Sequence, residues 1–300
     1  MRAVVFEEYG DPQVLHVAEV PDTHAGPGQV RIAVKAASVN PVDWKFRAGY
    51  MAQMMPVEFP SVIGRDASGV VDEIGEGVTG VNIGDEVFGS AVGGSTAQFA
   101  VLVGWGKKPT AWSFAEAAGA GVASSTSVRC LDQLGVEVGK TILIEGAAGG
   151  VGSVAAQLAV GRGLKVIGTA SEGNHEFLRS LGVIPTTYGE GLAARVAALA
   201  PEGVDYVIDT VGSGSIADLV TLVPDPNDVI TVADPNPAAV GARRSSNEGD
   251  LFAAYAEVAA LAEQGKAIIP IQATFGFHDA AKAHELSQTG HVRGKLVITP

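Results

Sequence analysis

The stretch "KTILIEGAAGGVGSVAAQLA" at residues 140–159 constrains the fold more than any other part of the chain. Its first apolar run predicts a buried strand, and a helix of small residues follows the glycines. The loop between them is small enough for the backbone to turn tightly and approach a pyrophosphate, whose charge then meets the helix N-terminus. The loop residues are Gly146, Ala147, Gly149, Gly150, Val151 and Gly152. Because a strand precedes them and a helix follows, they predict a dinucleotide site rather than close packing alone.

The chain changes character near residue 113. Before it, β-rich runs such as "QVRIAVKAASV" alternate with turn residues, as in a barrel or sandwich. After it, apolar strands alternate with helices, which predicts a parallel sheet covered on both faces. The end of the chain, with "IIPIQATF" and "KLVITP", is β-rich again. We therefore predict an α/β protein in which residues 1–113 and 269–300 form a β-rich domain and residues 114–268 form an inserted dinucleotide-binding domain.

Charge and cysteine content exclude several classes of function. A net charge of −13 argues against nucleic acid, which requires a basic face. The single cysteine, Cys130, lies in an apolar helical stretch and is interpreted as a buried small hydrophobe. We expect no membrane span, since no apolar run approaches about 18 residues. The N-terminal "MRAVVFEEYG" is a predicted strand that contains charges, so we expect no signal peptide. The expected location is the cytoplasm.

The residues after the second strand of the inserted domain bear on the choice of dinucleotide. An acid about 20 positions beyond the glycines would hold the adenosine ribose of NAD. Here "GTASEGNHEF" offers Ser171 and Asn174 as small polar donors to a 2′-phosphate, with His175 beside them. Glu172 comes slightly late for a ribose ligand, and no Lys or Arg stands in this stretch. The pattern favours NADP(H) and leaves NADH open.

Several segments resemble the medium-chain dehydrogenase/reductase superfamily, in its zinc-free quinone oxidoreductase (zeta-crystallin-like) branch. The glycine-rich segment 139–159 resembles the branch signature, with Val160 in place of the usual Lys, Arg or Ser. The remaining similar segments are "SVNPVDWKFRAGY" at 38–50, "GRDASGVVDEIGEGV" at 64–78, "GDEVFG" at 84–89 and "GHVRGKLVI" at 290–298. Asn174 stands where members often carry a lysine for the 2′-phosphate, whereas Tyr188 matches a tyrosine that contacts this phosphate in relatives.

The resemblance implies a GroES-like domain and a Rossmann domain, with NADP(H) in the cleft between them, and a homodimer. It also implies that Asn40 and Tyr50 face the substrate. The residues implied to lie along the cofactor are Thr126, Asp209, Val211 and Gly212.

Zinc enzymes of the superfamily carry a Cys and a Gly-His-Glu triplet where this chain has Asn40 and Gly64-Arg65-Asp66. Because a catalytic zinc needs about three protein ligands, we expect no metal. Without such a Lewis acid, a nicotinamide can still reduce an electron-poor quinone or α,β-unsaturated carbonyl. Asn40 is expected to hydrogen-bond an acceptor oxygen, and Tyr50 to do the same or to relay a proton.

The alternative is a non-catalytic NADP(H)-binding redox sensor or structural protein, which would keep the same glycine-rich loop. Arg65 and Asp66 stand inside an otherwise apolar strand, where charges are costly unless they are paired. We expect Arg65 to reach an acid or backbone carbonyls. Asp66 is expected to accept backbone N–H bonds or pair with an arginine, for which Arg47 is a candidate, and to serve folding at least as much as catalysis.

Overall fold

The computed structural model describes all residues from 1 to 300, and the chain divides into two compact units. The first unit combines Met1–Val122 with Leu251–Pro300, and the second is Ala123–Asp250. The first unit thus takes residues from both ends of the chain, as the sequence predicts. The predicted domain limits, 1–113 with 269–300 and 114–268, stay a prediction.

The chain forms fifteen strands and eight α-helices, joined by turns and short 3₁₀ segments. The strands are β1 Arg2–Phe6, β2 His16–Glu19, β3 Val30–Val39, β4 Ser61–Val62, β5 Asp66–Ile74, β6 Glu86–Val92, β7 Phe99–Lys107, β8 Thr141–Glu145, β9 Lys165–Thr169, β10 Ile184–Thr186, β11 Tyr206–Asp209, β12 Val229–Thr231, β13 Arg243–Arg244, β14 Ile271–Gly276 and β15 Lys295–Thr299. The helices are α1 Pro41–Arg47, α2 Phe114–Leu134, α3 Gly150–Gly161, α4 His175–Ser180, α5 Leu192–Leu199, α6 Ile216–Leu219, α7 Leu251–Glu263 and α8 Ala280–Gln288.

The second unit is built on a six-stranded sheet in the order β10-β9-β8-β11-β12-β13, and every pair in it is parallel. The side chains of Ile142, Leu143 and Ile144 in β8 are fully buried, as expected for a strand covered on both faces. Leu192 and Val196 of α5 pack in the same core cluster as Leu143. Full burial of each such side chain contributes about 1.5–3 kcal/mol, so the apolar pattern alone accounts for much of this sheet.

The strand order of this sheet determines where a ligand can bind. The chain runs from β8 outward to β9 and β10, then returns to the other side of β8 with β11. Adjacent connections therefore leave the carboxyl end of β8 in opposite directions. In open parallel sheets, ligands bind at this reversal point.

The first unit contains a second six-stranded sheet, in the order β14-β15-β3-β5-β6-β7. β3 also pairs with β7, which closes β3, β5, β6 and β7 into a barrel-like ring. β15 from the chain end pairs antiparallel with β3, with Leu296 opposite Val39. Its residue Lys295 is thereby brought next to β3 and β5 from a distant part of the chain.

Helix α7 packs on β7 within the first unit. A Cβ atom at Gly104 would lie 2.7 Å from Leu251 Cδ1, and one at Gly106 would lie 2.8 Å from Tyr255 Cβ. The two glycines therefore let the helix approach the strand closely. No helix of the protein is both long enough and apolar enough to cross a membrane. Cys130 is buried and unpaired, as predicted.

Candidate active site

The glycine-rich loop lies at the carboxyl end of β8 and leads into α3. The Gly146 N–H donates to Thr169 Oγ1 at 3.0 Å, which ties the loop to β9. The Ser153 N–H donates to the Gly149 carbonyl at 2.9 Å, and no side chain caps the helix. The first N–H groups of α3 therefore have no acceptor within the helix and form the positive end of its dipole. They belong to Gly150, Val151 and Gly152.

Two of the loop glycines are required by close contacts. Gly146 has a φ of +76°, and a Cβ there would lie 2.4 Å from Val211 Cγ2. A Cβ at Gly152 would lie 2.2 Å from the Gly146 carbonyl oxygen. The backbone thus forms a cradle that side chains would fill, with free N–H groups at its rim. This arrangement fits the pyrophosphate of a dinucleotide.

The connection from β11 to α6, residues 210–215 and here called the 210–215 loop, lies beside the glycine-rich loop. Asp209 is fully buried, and its Oδ1 accepts the N–H groups of Val211 at 2.8 Å and Gly212 at 2.9 Å. Its Oδ2 accepts a hydrogen bond from Thr231 Oγ1 at 2.7 Å. Asp209 therefore fixes the start of the loop through these two N–H groups. The side chain of Val211 packs against Gly146, and half of its surface is exposed.

Glu145, the last residue of β8, is a buried acid next to this loop that the sequence analysis did not single out. Its side chain is 3 % exposed, and its Oε2 accepts a hydrogen bond from Ser215 Oγ at 2.6 Å. Burial raises the pKa of Glu145 to about 7, and the negative charge of Asp209 acts in the same direction. A charged residue ending an otherwise apolar strand was the signal that could have revealed it.

The residues predicted for the 2′-phosphate follow β9 and β10, which are neighbours in the sheet. Asn174 Nδ2 donates to Ser171 Oγ at 3.1 Å, so these two side chains lie together. The Ala170 N–H donates to the Thr186 carbonyl at 3.0 Å, which joins the ends of both strands, and Tyr188 follows shortly afterwards, half exposed. The carboxyl edge of one sheet therefore carries the glycine-rich loop and the residues after β9, β10 and β11.

Arg195 of α5 brings a cation to the segment around Tyr188, which the sequence analysis missed. Its Nη1 donates to the Glu190 carbonyl at 2.7 Å, and its Nη2 donates to the Thr187 carbonyl at 3.0 Å and to the Tyr188 carbonyl at 3.3 Å. The absence of Lys or Arg between 169 and 178 therefore does not leave this end of the sheet without positive charge. Arg195 lies in the first turn of α5, directly after this segment, and this position brings it to the carbonyls.

Thr126 lies buried in α2. The next residue, Ser127, donates through Oγ to the Val151 carbonyl at 3.0 Å, so α2 packs directly against the start of α3. This places Thr126 one residue from the helix that begins at the glycine-rich loop.

In the first unit, Asp66 is the centre of a buried polar cluster. Its Oδ1 accepts the Val122 N–H at 2.8 Å, and its Oδ2 accepts bonds from Ser38 Oγ and Asn40 Nδ2, both at 2.9 Å. Lys295 Nζ lies 3.9 Å from the same Oδ2. Burial raises the pKa of Asp66 against the opposing effect of Lys295, and burial lowers the pKa of Lys295.

Asn40 belongs to this cluster and starts α1. Its side chain is 3 % exposed, its Oδ1 accepts a hydrogen bond from Lys295 Nζ, and its Nδ2 donates to Asp66. Its backbone N–H donates to Asp43 Oδ2 at 2.8 Å, completing a capping box. Burial raises the pKa of Asp43 to about 7, and the nearby Asp66 adds to this shift. Both ends of the Asn40 amide are therefore held by the protein.

The structure changes the expected partners of two charges. Asp66 accepts a backbone N–H, as predicted. Its cationic neighbour is Lys295. Arg47, the predicted candidate for an ion pair with Asp66, is wrong, because its guanidinium reaches Gln288 of α8 instead. The Arg65 guanidinium lies 5.6 Å over the Phe46 ring, rather than on an acid or carbonyl. Lys295 is a charge at the start of the apolar strand "KLVIT", as Asp66 is at the start of β5.

Tyr50 lies after α1 in an exposed, apolar segment. Its side chain is 72 % exposed, and its ring meets that of Trp44 edge to face, with centroids 6.0 Å apart. Met54 is also largely exposed. The hydroxyl of Tyr50 is thus free to donate to a small molecule.

The residues at the positions of the zinc ligands do not fit a zinc ion. Both carboxylate oxygens of Asp66 already accept hydrogen bonds from the protein. The neighbouring Lys295 ammonium would also repel a cation. No three His, Cys, Asp or Glu side chains lie together in an arrangement that would hold a metal.

Comparison with known proteins identifies the family. Residues 26–128 match the family model of the alcohol dehydrogenase GroES-like domain, and residues 183–298 match that of the zinc-binding dehydrogenases. The chain is 34% identical to a 2-methylene-furan-3-one reductase of Solanum lycopersicum, over 100% of this chain and 79% of that protein. The quinone oxidoreductase from Coxiella burnetii has the same fold, with a TM-score of 0.87, 33% identity, and coverage of 100% of this chain and 99% of that one.

A mycobacterial protein solved with NADPH is also similar, with a TM-score of 0.85, 26% identity and full coverage of both chains. Together, the inserted parallel sheet, the glycine-rich loop and these matches define an oxidoreductase with a dinucleotide-binding fold. The chain belongs to the medium-chain dehydrogenase/reductase family, in its quinone oxidoreductase-like group. The predicted combination of GroES-like and Rossmann domains is confirmed.

Proposed function

We propose that this protein is an NADP(H)-dependent reductase that transfers hydride to quinones or α,β-unsaturated carbonyl compounds without a metal. The observation that carries the proposal is the backbone cradle at the reversal point of the parallel sheet, where Gly146 and Gly152 leave no room for a Cβ. The nicotinamide supplies the hydride when the cofactor is bound. The names of the tomato and Coxiella relatives support enone and quinone acceptors.

In this proposal, the second unit binds and orients the cofactor. The N–H groups of Gly150, Val151 and Gly152 hold the pyrophosphate, supported by Gly146, Ala147 and Gly149, while Thr126 and Val211 contact the rest of the molecule. Ser171, Asn174 and Tyr188 bind the 2′-phosphate, and Arg195 supplies positive charge near it.

The first unit supplies the groups for the acceptor. The Asn40 amide is held by Asp66 and Lys295, but one Nδ2 hydrogen faces only Ser38 Oγ, at the limiting distance of 3.5 Å. To bind a substrate oxygen, this hydrogen would exchange its long bond to Ser38 Oγ for the substrate. The exposed Tyr50 hydroxyl is a second donor to the same class of oxygen.

The activity is tested by following NADPH consumption with 1,4-benzoquinone and with a simple enone, against a control without acceptor. We expect acceptor-dependent consumption. Tight NADPH binding without turnover of any acceptor would instead indicate a redox sensor or structural protein. Stoichiometric zinc found by elemental analysis of the active protein would overturn the metal-free part of the proposal.

Cofactor choice is tested by separate titrations of NADPH and NADH. We expect NADPH to bind more tightly, because Ser171 and Asn174 lie together after β9 and Arg195 binds carbonyls of the segment after β10. Equal or reversed affinities would indicate that Glu172 holds the ribose.

The roles of the acceptor residues are tested by Tyr50→Phe, which keeps the ring packed on Trp44 and removes one donor. We expect kcat to fall about tenfold, less than the roughly 10²–10³ for a preorganised oxyanion donor because Tyr50 is largely exposed, with an unchanged Kd for NADPH. An unchanged kcat would assign Tyr50 to packing only.

The homodimer and the cytoplasmic location are also proposals. β13 leaves one edge of the parallel sheet unpaired, which supports a partner subunit. Light scattering coupled to size-exclusion chromatography tests the dimer, and fractionation of the source cells tests the location.

A further inference from the structure

We propose that Glu145 is a positioning residue: its buried carboxyl holds the 210–215 loop against the glycine-rich loop, and ionisation of that carboxyl loosens the loop and weakens NADP(H) binding. The inference rests on the proposed function, since it concerns the binding of the same cofactor. It assigns a role in cofactor binding to Glu145, outside the glycine-rich loop, and predicts that this binding depends on pH.

Glu145 contacts the 210–215 loop at both of its ends. Its carbonyl accepts a hydrogen bond from Thr210 Oγ1 at 2.7 Å, at the start of the loop. Its side chain accepts one from Ser215 Oγ at 2.6 Å, at the end of the loop, and Ser213 Oγ donates to Ser215 Oγ at 3.0 Å. One residue therefore fixes the entry and the exit of a short, glycine-containing segment.

The position of this loop matters for the cofactor site because of Val211. A Cβ atom at Gly146 would lie only 2.4 Å from Val211 Cγ2. The loop therefore directly borders the pyrophosphate cradle. A small outward movement of the loop would open that border and remove Val211 from its place along the cofactor.

The carboxyl of Asp209 beside Glu145 determines which of the two acids carries a proton. Asp209 of β11 stands opposite Glu145 in the pairing of β11 with β8, and its charge adds to the effect of burial, which raises the pKa of Glu145. Asp209 accepts three hydrogen bonds, from the Val211 and Gly212 N–H groups and from Thr231. The Glu145 carboxyl faces serine hydroxyls of the loop, Ser215 at 2.6 Å with Ser213 beside it. Because a hydroxyl can donate to a carboxylate or accept from a protonated carboxyl, Glu145 is the member of the pair better suited to carry a proton.

Ionisation of Glu145 would place two like charges side by side in a buried site. Both carboxylates hold the same loop, one through Ser215 and the other through Val211 and Gly212, so their repulsion acts directly on it. The raised pKa of Glu145, about 7, places the change near neutral pH. We therefore expect tight binding below pH 7 and weaker binding above it.

The test measures the Kd for NADPH from pH 6 to 8.5 in the parent protein and in Glu145→Gln, by fluorescence titration of the full chain. Gln is a neutral mimic of the protonated acid and can still accept from Ser215. The ratio of parent to variant Kd cancels the titration of the NADPH phosphate itself. We expect a ratio near one at pH 6 that rises to about tenfold at pH 8.5, as for one added charge at moderate effective dielectric.

Ser215→Ala provides a second, independent readout. The Ser215 hydroxyl lowers the pKa of Glu145, so its removal should move the midpoint of the Kd profile to higher pH. A purely structural role for Ser215 would weaken binding equally at every pH. This variant also keeps the inference testable if Glu145→Gln does not fold.

A Kd ratio that stays constant with pH, together with an unmoved midpoint in Ser215→Ala, would overturn the role of Glu145 while leaving NADPH binding established. Failure of the parent protein to bind NADPH at any pH would overturn the proposed function itself, and with it this inference. The two failures are distinguished by the parent titration alone.

Discussion

Two buried polar clusters in the first unit, both attached to α1, differ in how well their hydrogen-bonding groups are paired. Around Asp66, the carboxylate accepts three hydrogen bonds, and Lys295 lies beside it. Around Arg47 the opposite holds. Its guanidinium is fully buried, only Nη2 has a partner, at 3.3 Å on Gln288, and Nε and Nη1 have none.

The second cluster also contains His284 of α8, which is 1 % exposed and has no partner for Nδ1. Burial lowers the pKa of His284 to about 3, and the positive charge of Arg47 contributes. A buried charge without partners costs several kcal/mol. We therefore expect the Asp66 cluster to stabilise the folded state and the Arg47 cluster to destabilise it.

The largest effect is expected from Asp66→Asn. The new NH₂ group would face donors that now bind an acceptor, and the Lys295 charge would lose its neighbouring carboxylate. We expect a loss of about 3–5 kcal/mol in the free energy of unfolding, measured by urea denaturation. Ser38→Ala removes one of the same hydrogen bonds and, as a matched control, should cost about 1 kcal/mol. A stable but inactive Asp66→Asn would reverse the assignment and place Asp66 in the reaction.

Asp43 should give the first cluster a distinctive pH dependence. Its pKa is raised to about 7 in the folded state, so the native protein holds this proton more tightly than the unfolded chain. Stability from this group is therefore greatest near pH 4 and declines as pH rises to 7, by about 2–4 kcal/mol. Asp43→Asn keeps an acceptor for the Asn40 N–H and should remove the decline.

Urea denaturation of the parent and Asp43→Asn at pH 4 and pH 8 checks this sign. We expect the variant to equal the parent near pH 4 and to exceed it at pH 8. A variant that is less stable than the parent at pH 8 would mean that ionised Asp43 is paired rather than merely buried.

The sequence predicted the parts of this protein that depend on local pattern. The apolar run of β8, the glycines that follow and the small-residue helix α3 all lie within one short segment, so their geometry is set by neighbouring residues. The β-rich ends and the parallel sheet likewise follow from periodicity.

Partners that come from distant segments were not predictable in the same way. Lys295 meets Asp66 only because β15 pairs with β3, whereas the sequence around Asp66 suggests Arg47. Glu145 likewise meets Asp209 only through the pairing of β8 with β11. In both cases the charge is visible in the sequence, but tertiary structure determines its partner.

His284 should give the second cluster the opposite pH dependence. Its pKa is lowered in the folded state, so the unfolded chain binds a proton first as pH falls below about 6.5. Stability from this group is present at pH 7 and should decrease by about 2 kcal/mol on going to pH 5. His284→Gln should lessen that acid-induced loss, whereas His291→Gln, an exposed control, should leave it unchanged. An equal acid response in parent and His284→Gln would show that the ring is not buried neutral.

The smallest effect, and the sharpest test of the contrast, is expected from Arg47→Met. Met keeps much of the volume and the aliphatic packing of Arg47 while removing a charge with two unpaired N–H groups. Stability should stay unchanged or rise by about 1 kcal/mol, since an apolar replacement of a buried ionic group is often neutral or stabilising. Arg47→Lys keeps the charge in a more strongly hydrated form and should be less stable than Arg47→Met. If Arg47→Met instead costs as much as Asp66→Asn, the guanidinium must have partners as complete as those of Asp66, and the two clusters would support the fold equally.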